Sequence, residues 1–208
     1  YLKKNYLITV NTNKIGVCYP SYQLTSNLGI KMGQCKDDDI VISSDLDEIP
    51  NPEYLSRLNE YFSADELYTF NQTHYCFYLN MLNYSHIDNT SRNRNITTNW
   101  KGSRMGTYGK IKNYSLNELR AQDNNDLLNG GWHFSYLLTP KQIQKKIKTF
   151  AHTELNKKKY TDINVIKNKI KNKVDLFGRK IFLQKVRIDK DFPEYIYKNK
   201  KKLKKWII

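Results

Sequence analysis

Between Asp37 and Glu48 the chain places six carboxylates (Asp37, Asp38, Asp39, Asp45, Asp47 and Glu48) in twelve positions. Between the two groups runs Ile40-Val41-Ile42, a short continuous apolar stretch that predicts a strand covered on both faces. Asp45, Asp47 and Glu48 then fall at its carboxyl end, where open α/β sheets bind ligands. Three carboxylates within four positions repel one another, so a half-buried set requires a cation. Asp45-Leu46-Asp47 would offer hard oxygen ligands while Leu46 points into the core. Such ligands suit Mg²⁺ or Mn²⁺, ions that bridge nucleotide phosphates. The pattern alone has low specificity: an acid-rich turn before Pro50 spells the same letters, with Glu48 or Asp47 capping backbone groups.

Two of the four histidines, His133 and His152, sit among apolar residues. A neutral imidazole there can complete a metal shell, act as a base, or serve as a hydrogen-bonded core residue. Gly130-Gly131-Trp132 supplies a close-approach turn followed by a large aromatic face able to stack on a sugar ring; the plainer alternative is a buried Trp packed by glycines.

The elements that must position these groups follow from patterning. Tyr6–Val10 reads as a short strand and Tyr22–Gly33 as a helix. Pro52–Tyr61 reads as a helix opened by proline, with Leu55 and Leu58 on one face. Leu67–Phe70 and Tyr75–Leu79 are two β-type runs, and residues 86–98 a polar surface loop. Trp100–Gly109 is punctuated by glycine and is expected near the site. Leu116–Arg120 is a short helix capped by Ser115 with Glu118 three positions on. Thr139-Pro140 opens a lysine-laced helix through Phe150; Tyr160–Lys173 carries Ile163, Ile166 and Ile170 at helical spacing. Val174–Arg179 turns into a strand over Ile181–Val186. No internal repeat is present.

A chain of 208 residues accommodates one substantial core, read here as a single catalytic domain over residues 1–197 with a basic tail over 198–208. The net charge of +15 is unevenly spread: from Lys141 onward twenty Lys and two Arg face six acids, and the rest of the chain is nearly neutral. That asymmetry fits an anionic ligand, a membrane surface or nucleic acid; equally, a Lys-, Asn-, Ile- and Tyr-rich composition produces solvated lysines with no partner. A nucleic-acid module would gather its tyrosines among the lysines, whereas the 16 Tyr are scattered along the chain. No nucleic-acid partner is therefore expected. Three cysteines, Cys18, Cys35 and Cys76, have no zinc-type spacing and argue against a disulfide framework. No run approaches a transmembrane helix. Five N-x-S/T sequons, at Asn71, Asn83, Asn89, Asn95 and Asn113, weakly favour a secretory route.

Four blocks, "DDDIVISSDLDEIPNPEYL", "NGGWHFSYL", "KIKTFAHTELN" and "VDLFGRK…FPEYI", in this order and at comparable spacing, resemble the glycosyltransferase family of the β-1,4-mannosyl-glycoprotein 4-β-N-acetylglucosaminyltransferases (family 17 type) from about Tyr19 to Tyr197. The resemblance implies an α/β fold of the GT-A type, a Rossmann-like central sheet with flanking helices that binds a nucleotide-diphospho-sugar. It also implies inverting transfer, a divalent cation (Mn²⁺ or Mg²⁺), and UDP-GlcNAc as default donor. By similarity Asp45 and Asp47 are the DxD acids that meet ion and sugar nucleotide. His152 lies where such enzymes present a late histidine to the ion, and Trp132 and His133 lie beside donor sugar or acceptor. The family's first strand, with its acidic motif and nucleotide-holding loop, is expected upstream of Tyr1. The segment "SYQLTSNLGIKMGQ" lacks the Glu and Arg of the family's helix, so those residues lie upstream or uridine binding is altered.

The mechanism that results is direct displacement, the ion neutralising the departing diphosphate while a base takes the acceptor proton. Glu154 is the first candidate base and His133 the second, with Asp126 and Asp123 behind them. Arg179 in D-L-F-G-R and part of the Lys141–Lys148 run are candidates to neutralise the diphosphate. The acceptor expected is a glycan or glycoprotein hydroxyl, such as an N-glycan mannose. The expected setting is the secretory pathway, with an upstream membrane anchor or peripheral membrane proximity; a cytoplasmic setting and a non-catalytic relative remain the alternatives.

Overall fold

The computed structural model describes residues 6–7, 35–85, 99–122, 124–149, 153–179 and 181–208. The readings for Tyr22–Gly33 and residues 86–98, and the placements of Asp123 and His152, lie outside them. The chain forms two compact units, residues 1–72 with 101–131 and residues 73–100 with 132–208.

In the first unit β1 (Tyr6–Leu7) pairs in parallel with β2 (Ile40–Ser43), Tyr6 opposite Val41. On its other side β2 pairs antiparallel with β6 (Asn99–Thr107), Ile42 opposite Met105 and Ser43 opposite Arg104. Flanked by strands on both edges and covered on both faces, Ile40, Val41 and Ile42 are all buried. Alternation divides them: Ile40 and Ile42 pack with Tyr68, Phe70, Met105 and Leu127, whereas Val41 packs with Leu67, Ile111 and Leu119. The expected doubly covered strand is thus present. The parallel pairing characteristic of a Rossmann-like sheet occurs at β1–β2, and the sheet is mixed, since β2–β6 and the β-pairs of the second unit are antiparallel.

After β2 a turn leads to β3 (Glu48–Pro50), which pairs with β7 (Asn125–Ser135). Asn51 caps the next helix by accepting from Glu53 N at 3.0 Å, and Pro52 takes its first position. The helix read over Pro52–Tyr61 breaks at Arg57 into α1 (Pro52–Ser56) and α2 (Leu58–Tyr61); Leu55 and Leu58 still share one cluster. The two aromatic runs merge into one strand, β4 (Tyr68–Cys76). β6 leads into α3 (Tyr108–Ile111). α4 (Leu116–Ala121) carries the expected capping box: Ser115 Oγ accepts from Glu118 N and the Glu118 carboxylate accepts from Ser115 N.

In the second unit β4 pairs with β5 (Met81–Ser85), which pairs antiparallel with β8 (Ile181–Lys185). α5 (Pro140–Thr149) turns Ile143 and Ile147 inward and its lysines outward. Ile166 of α7 (Ile163–Lys171), which follows α6 (Lys158–Thr161), joins the same core with Cys76, Phe77 and Leu176. A second cluster gathers Tyr75, Phe134, Ile188, Phe192 and Ile196, the last on α8 (Glu194–Lys198). The lysine-rich end is ordered by the chain itself. Asn80 Nδ2 donates to the Ile208 carbonyl at 2.9 Å, Leu79 N donates to the Trp206 carbonyl at 2.8 Å, and Leu203, Trp206 and Ile207 pack on the second cluster.

Cys35 and Cys76 are free thiols. Two of the sequon asparagines, Asn71 and Asn83, are buried, so the sequons carry less weight than their number suggests; Asn113 is exposed. No helix among the described residues is long and apolar enough to cross a membrane.

Candidate active site

The acids after β2 occupy a tight turn rather than a continuation of the strand. Glu48 N donates to the Asp45 carbonyl at 3.1 Å, closing the turn, and the Glu48 side chain reaches back to accept from Asp45 N at 3.1 Å. This loop reverses the expected alternation. Leu46, predicted to point into the core, is 60% exposed, and Glu48 is the residue that turns inward, at 8%. Once residues 46 and 47 leave extended geometry, strand parity no longer assigns faces.

Glu48 sits in a polar network that braces the turn. Its Oε2 lies 3.3 Å from Ser103 Oγ, which is 2.7 Å from Ser44 Oγ and accepts from Gln72 Nε2 at 3.2 Å; Ser44 Oγ also donates to the Glu48 carbonyl at 3.1 Å. Ser44, Gln72 and Ser103 are all buried, so the network lies beneath the turn and holds its backbone. The glycine-punctuated β6 therefore does serve this site, through Ser103 and Arg104.

Asp45 faces a cation of the chain. Arg120 Nη2 donates to Asp45 Oδ1 at 2.5 Å, and the Arg120 carbonyl accepts from Arg104 Nη2 at 3.1 Å. Arg104 is itself buried, its other terminal nitrogen donating to the Gly102 carbonyl; burial pushes its guanidinium down from the ordinary value, and Glu48 opposes that shift. Asp47 is half-buried in the same turn. Asp126, also in this unit, pairs with Lys101 at 3.5 Å on the surface. Arg120 is not identifiable from sequence as the partner of Asp45, because helix α4 delivers it from 75 positions away.

Gly130 and Gly131 make the close approach expected of them, but within strand β7 and not in a turn. A Cβ on Gly130 would lie 2.7 Å from Phe70 Cα and from Asn71 N, and one on Gly131 (φ +132°) would strike the Ile49 carbonyl. Asn51 N meanwhile donates to the Gly130 carbonyl at 2.8 Å. Gly131 thus lets β7 press against β3 immediately beyond the acidic turn, and Gly130 lets it press against β4.

In the second unit, strand alternation separates Trp132 from His133. Trp132 joins Phe134 in the core cluster and donates its indole N–H to the Asp191 carbonyl at 3.0 Å. His133 faces the other way, buried, its Nε2 3.0 Å from Ser135 Oγ. Its ring stacks on His74 (centroids 4.5 Å apart, planes 17°) and lies 4.5 Å from the ring of Trp100, which is 38% exposed. His74 Nδ1 accepts from the Asn83 amide at 3.0 Å, which places the proton of a neutral His74 on Nε2. His74 gave no signal in the sequence, being an isolated residue in an aromatic-rich strand, and Trp100 opens the glycine-punctuated segment expected near the site without being singled out there.

Glu154 lies exposed in a 3₁₀ turn over Thr153–Leu155. Arg179 grips the buried Asp175 carboxylate, Nη2 to Oδ1 2.6 Å, with its own backbone N–H donating to Oδ2 at 3.0 Å; its guanidinium lies 5.4 Å from the Phe177 ring centroid. Burial pushes the Asp175 carboxyl up, but the hydrogen bonds and charge of Arg179 outweigh it and hold the group below its ordinary value.

No group of three or more His, Cys, Asp or Glu gathers to hold an ion among the described residues. An ion brought by a nucleotide takes one or two protein carboxylates and completes its shell with phosphate oxygens and water. Asp45 and Asp47 fit that requirement in number and chemistry.

Comparison with known families gives the class of protein: a glycosyltransferase. The profile of glycosyltransferase family 17 matches residues 21–181, and the chain belongs to that family, one of the GT-A clan. None of the curated proteins or solved structures compared with the chain matches it.

Proposed function

We propose that the protein is a metal-dependent inverting glycosyltransferase that moves N-acetylglucosamine from UDP-GlcNAc to a glycan hydroxyl, such as a mannose of an N-glycan. Family membership supports sugar transfer from a nucleotide donor. The observation that carries the finer reading is the acidic turn itself: Asp45 and Asp47 at the end of β2, their backbone fixed by Glu48, Ser44 and Ser103. A bound Mn²⁺ or Mg²⁺ would supply positive charge to the leaving diphosphate. Asp45 and Asp47 would hold it, and the buried network keeps their backbone from shifting as charge builds.

The acceptor hydroxyl must lose a proton on the face of the sugar opposite the leaving group. Glu154 is exposed; His133 is buried in a three-ring stack with Ser135 at its Nε2. Exposure favours Glu154 as the base and leaves His133 to order the stack behind Trp100. Transferase rates of Glu154→Gln and His133→Ala distinguish the two: loss of roughly 10²-fold or more in rate identifies the base, and a near-normal rate eliminates the residue that shows it. Donor turnover across a panel of nucleotide sugars, with Mn²⁺ and with chelator, tests the donor and the ion together. Turnover that is indifferent to chelator for every donor defeats the metal reading.

A further inference from the structure

The lysine-rich end of the chain has no part in the transfer described above, and it lines a cleft within the second unit. Two segments meet there: Lys185 and Arg187, at the end of β8 and just beyond it, and Lys200, Lys201 and Lys204, in the turns after α8. The cleft measures about 680 Å³, within the range of ligand-binding clefts. No Asp or Glu lines it, and none of the five cations pairs with a carboxylate among the described residues. Asp189, the acid next along the chain, turns its carboxylate to Asp191 N at 3.0 Å, and Glu194 pairs with Lys198. A terminal carboxylate on Ile208 would offset only one of the five.

Like charges repel, so a merely solvated lysine run spreads apart. Here the backbone beneath them is tied by Asn80, which is 2% exposed. Its Nδ2 donates to the Val186 carbonyl at 3.0 Å and to the Ile208 carbonyl at 2.9 Å, and its Oδ1 accepts from Ile208 N at 3.0 Å. One buried amide thus fixes the two basic segments against each other. The rest of the lining is largely apolar: Ile188 is buried, and Val186 and Ile207 are half-buried, packed on the cluster of Tyr75 and Phe134. Lys200 Nζ donates to the Ile188 carbonyl at 3.5 Å and lies 4.6 Å from the ring centroid of Tyr197, so an exposed aromatic borders the cleft.

We propose that this cleft binds the phosphate headgroup of an anionic phospholipid at a membrane surface. Charge complementarity requires an anion. The apolar lining beneath the cations selects one whose phosphate is joined to a hydrocarbon body, which neither inorganic phosphate nor the backbone of a nucleic acid offers. Cations beside an exposed tyrosine are also the composition of segments that settle at the membrane–water boundary. The inference is independent of the acidic turn and of any ion there.

Co-sedimentation of the full chain with vesicles tests it, using phosphatidylcholine alone and phosphatidylcholine with about one-third phosphatidylserine, at about 150 mM salt. Wild type should partition onto the anionic vesicles and not onto the neutral ones. Each cation near an anionic leaflet contributes about 5-fold in partitioning, so the triple variant Lys185→Gln, Arg187→Gln, Lys201→Gln should lose about 100-fold. A chain of net charge +15 is drawn to any anionic surface, so a control removes three exposed lysines elsewhere. Lys157→Gln, Lys167→Gln, Lys171→Gln should lose less than about 5-fold. Melting curves check folding; if the cleft triple variant is unfolded, Lys201→Glu alone decides, with an expected loss of about 25-fold for one reversed charge. Equal losses in cleft and control variants, or no binding of wild type to anionic vesicles, overturn the proposal. Tighter binding to inorganic pyrophosphate or to a single-stranded oligothymidylate than to the vesicles, lost in the cleft variant and kept in the control, assigns the cleft to a soluble phosphate or a nucleic acid and overturns the lipid.

Discussion

Replacing Glu48 by Gln tests whether the inward acid braces the turn or belongs to the ion site. Glu48 is 8% exposed and its Oε2 accepts from Asp45 N at 3.1 Å and from Ser103 Oγ at 3.3 Å. Glutamine keeps the shape and one acceptor oxygen but gives up the charge. A hydrogen bond to a charged group contributes about 1.5–3 kcal/mol and a neutral one about 1 kcal/mol, so the two weakened bonds amount to roughly 2 kcal/mol. Loss of the carboxylate beside the buried Arg104 adds to this in the same direction. For a chain of this size roughly 2 kcal/mol corresponds to a fall in melting temperature of about 4–8 °C. Thermal and urea unfolding measure the loss, and a Mn²⁺ titration of transferase activity measures the site. A brace predicts the stated loss, with the half-saturating Mn²⁺ concentration rising by about 10- to 100-fold but the response retained. A melting temperature within about 1 °C of wild type together with an abolished Mn²⁺ response would refute the reasoning, because it would make Glu48 a ligand and not a support.

Three further expectations follow from the same geometry. Gly131→Ala forces a Cβ into the Ile49 carbonyl at a positive φ, so β3 must shift; stability should fall by about 3 kcal/mol or more in urea unfolding, with transfer activity falling alongside it. Asp175→Asn removes the carboxylate that accepts from Phe177 N, Arg179 N and the Arg179 side chain, and should cost about 2–3 kcal/mol at neutral pH. The folded-state value of Asp175 is depressed, so its contribution is complete above the unfolded value of 3.8 and is lost as pH falls through the folded one. Wild type should therefore lose its advantage over Asp175→Asn below about pH 4, and unfolding midpoints compared at pH 7 and pH 3 check the sign.

What the sequence reveals here depends on how locally each feature is determined. The β2 strand is legible because three consecutive apolar residues satisfy a doubly covered position whatever surrounds them, and the α4 capping box because both of its partners lie within four residues. The glycine pair is legible because glycine alone permits the contacts of β7 with β3 and β4. Leu46 was misplaced because period-two reasoning was carried past the last strand residue into a turn, where a single backbone reversal swapped it with Glu48. The resemblance implies that Trp132 and His133 both lie beside donor sugar or acceptor, and their adjacency on a strand turns them to opposite faces; the exposed aromatic beside His133 is Trp100, 33 positions earlier. Arg179 is a candidate for the diphosphate because a cation beside a glycine turn suggests phosphate; that it grips Asp175, four residues back, follows from the burial of that carboxylate, which the local sequence does not show. Pairings set by tertiary contact, Asp45 with Arg120 above all, have no local signature at all.

The distribution of those pairings also revises why so many acids can crowd together. Repulsion among them suggested that a cation was needed, and the structure supplies cations of the chain's own: Lys112 on Asp37 at 2.6 Å and Arg120 on Asp45 at 2.5 Å. Asp39 accepts from Lys36 N at 2.8 Å, and Glu48 is absorbed in the polar network. Four of the six acids, Asp37, Asp39, Asp45 and Glu48, are thus stabilised separately by different partners, before any ion arrives. A site of this kind folds without metal, in contrast to one whose carboxylates depend on a shared ion, where binding free energy is folding free energy. Chelator should therefore leave the melting temperature of the protein within about 1 °C of its value in Mn²⁺, while Mn²⁺ added with a nucleotide donor should raise it according to the ratio of ligand to its dissociation constant. A drop of several degrees in chelator alone would show that the ion is structural, and that Lys112 and Arg120 do not suffice.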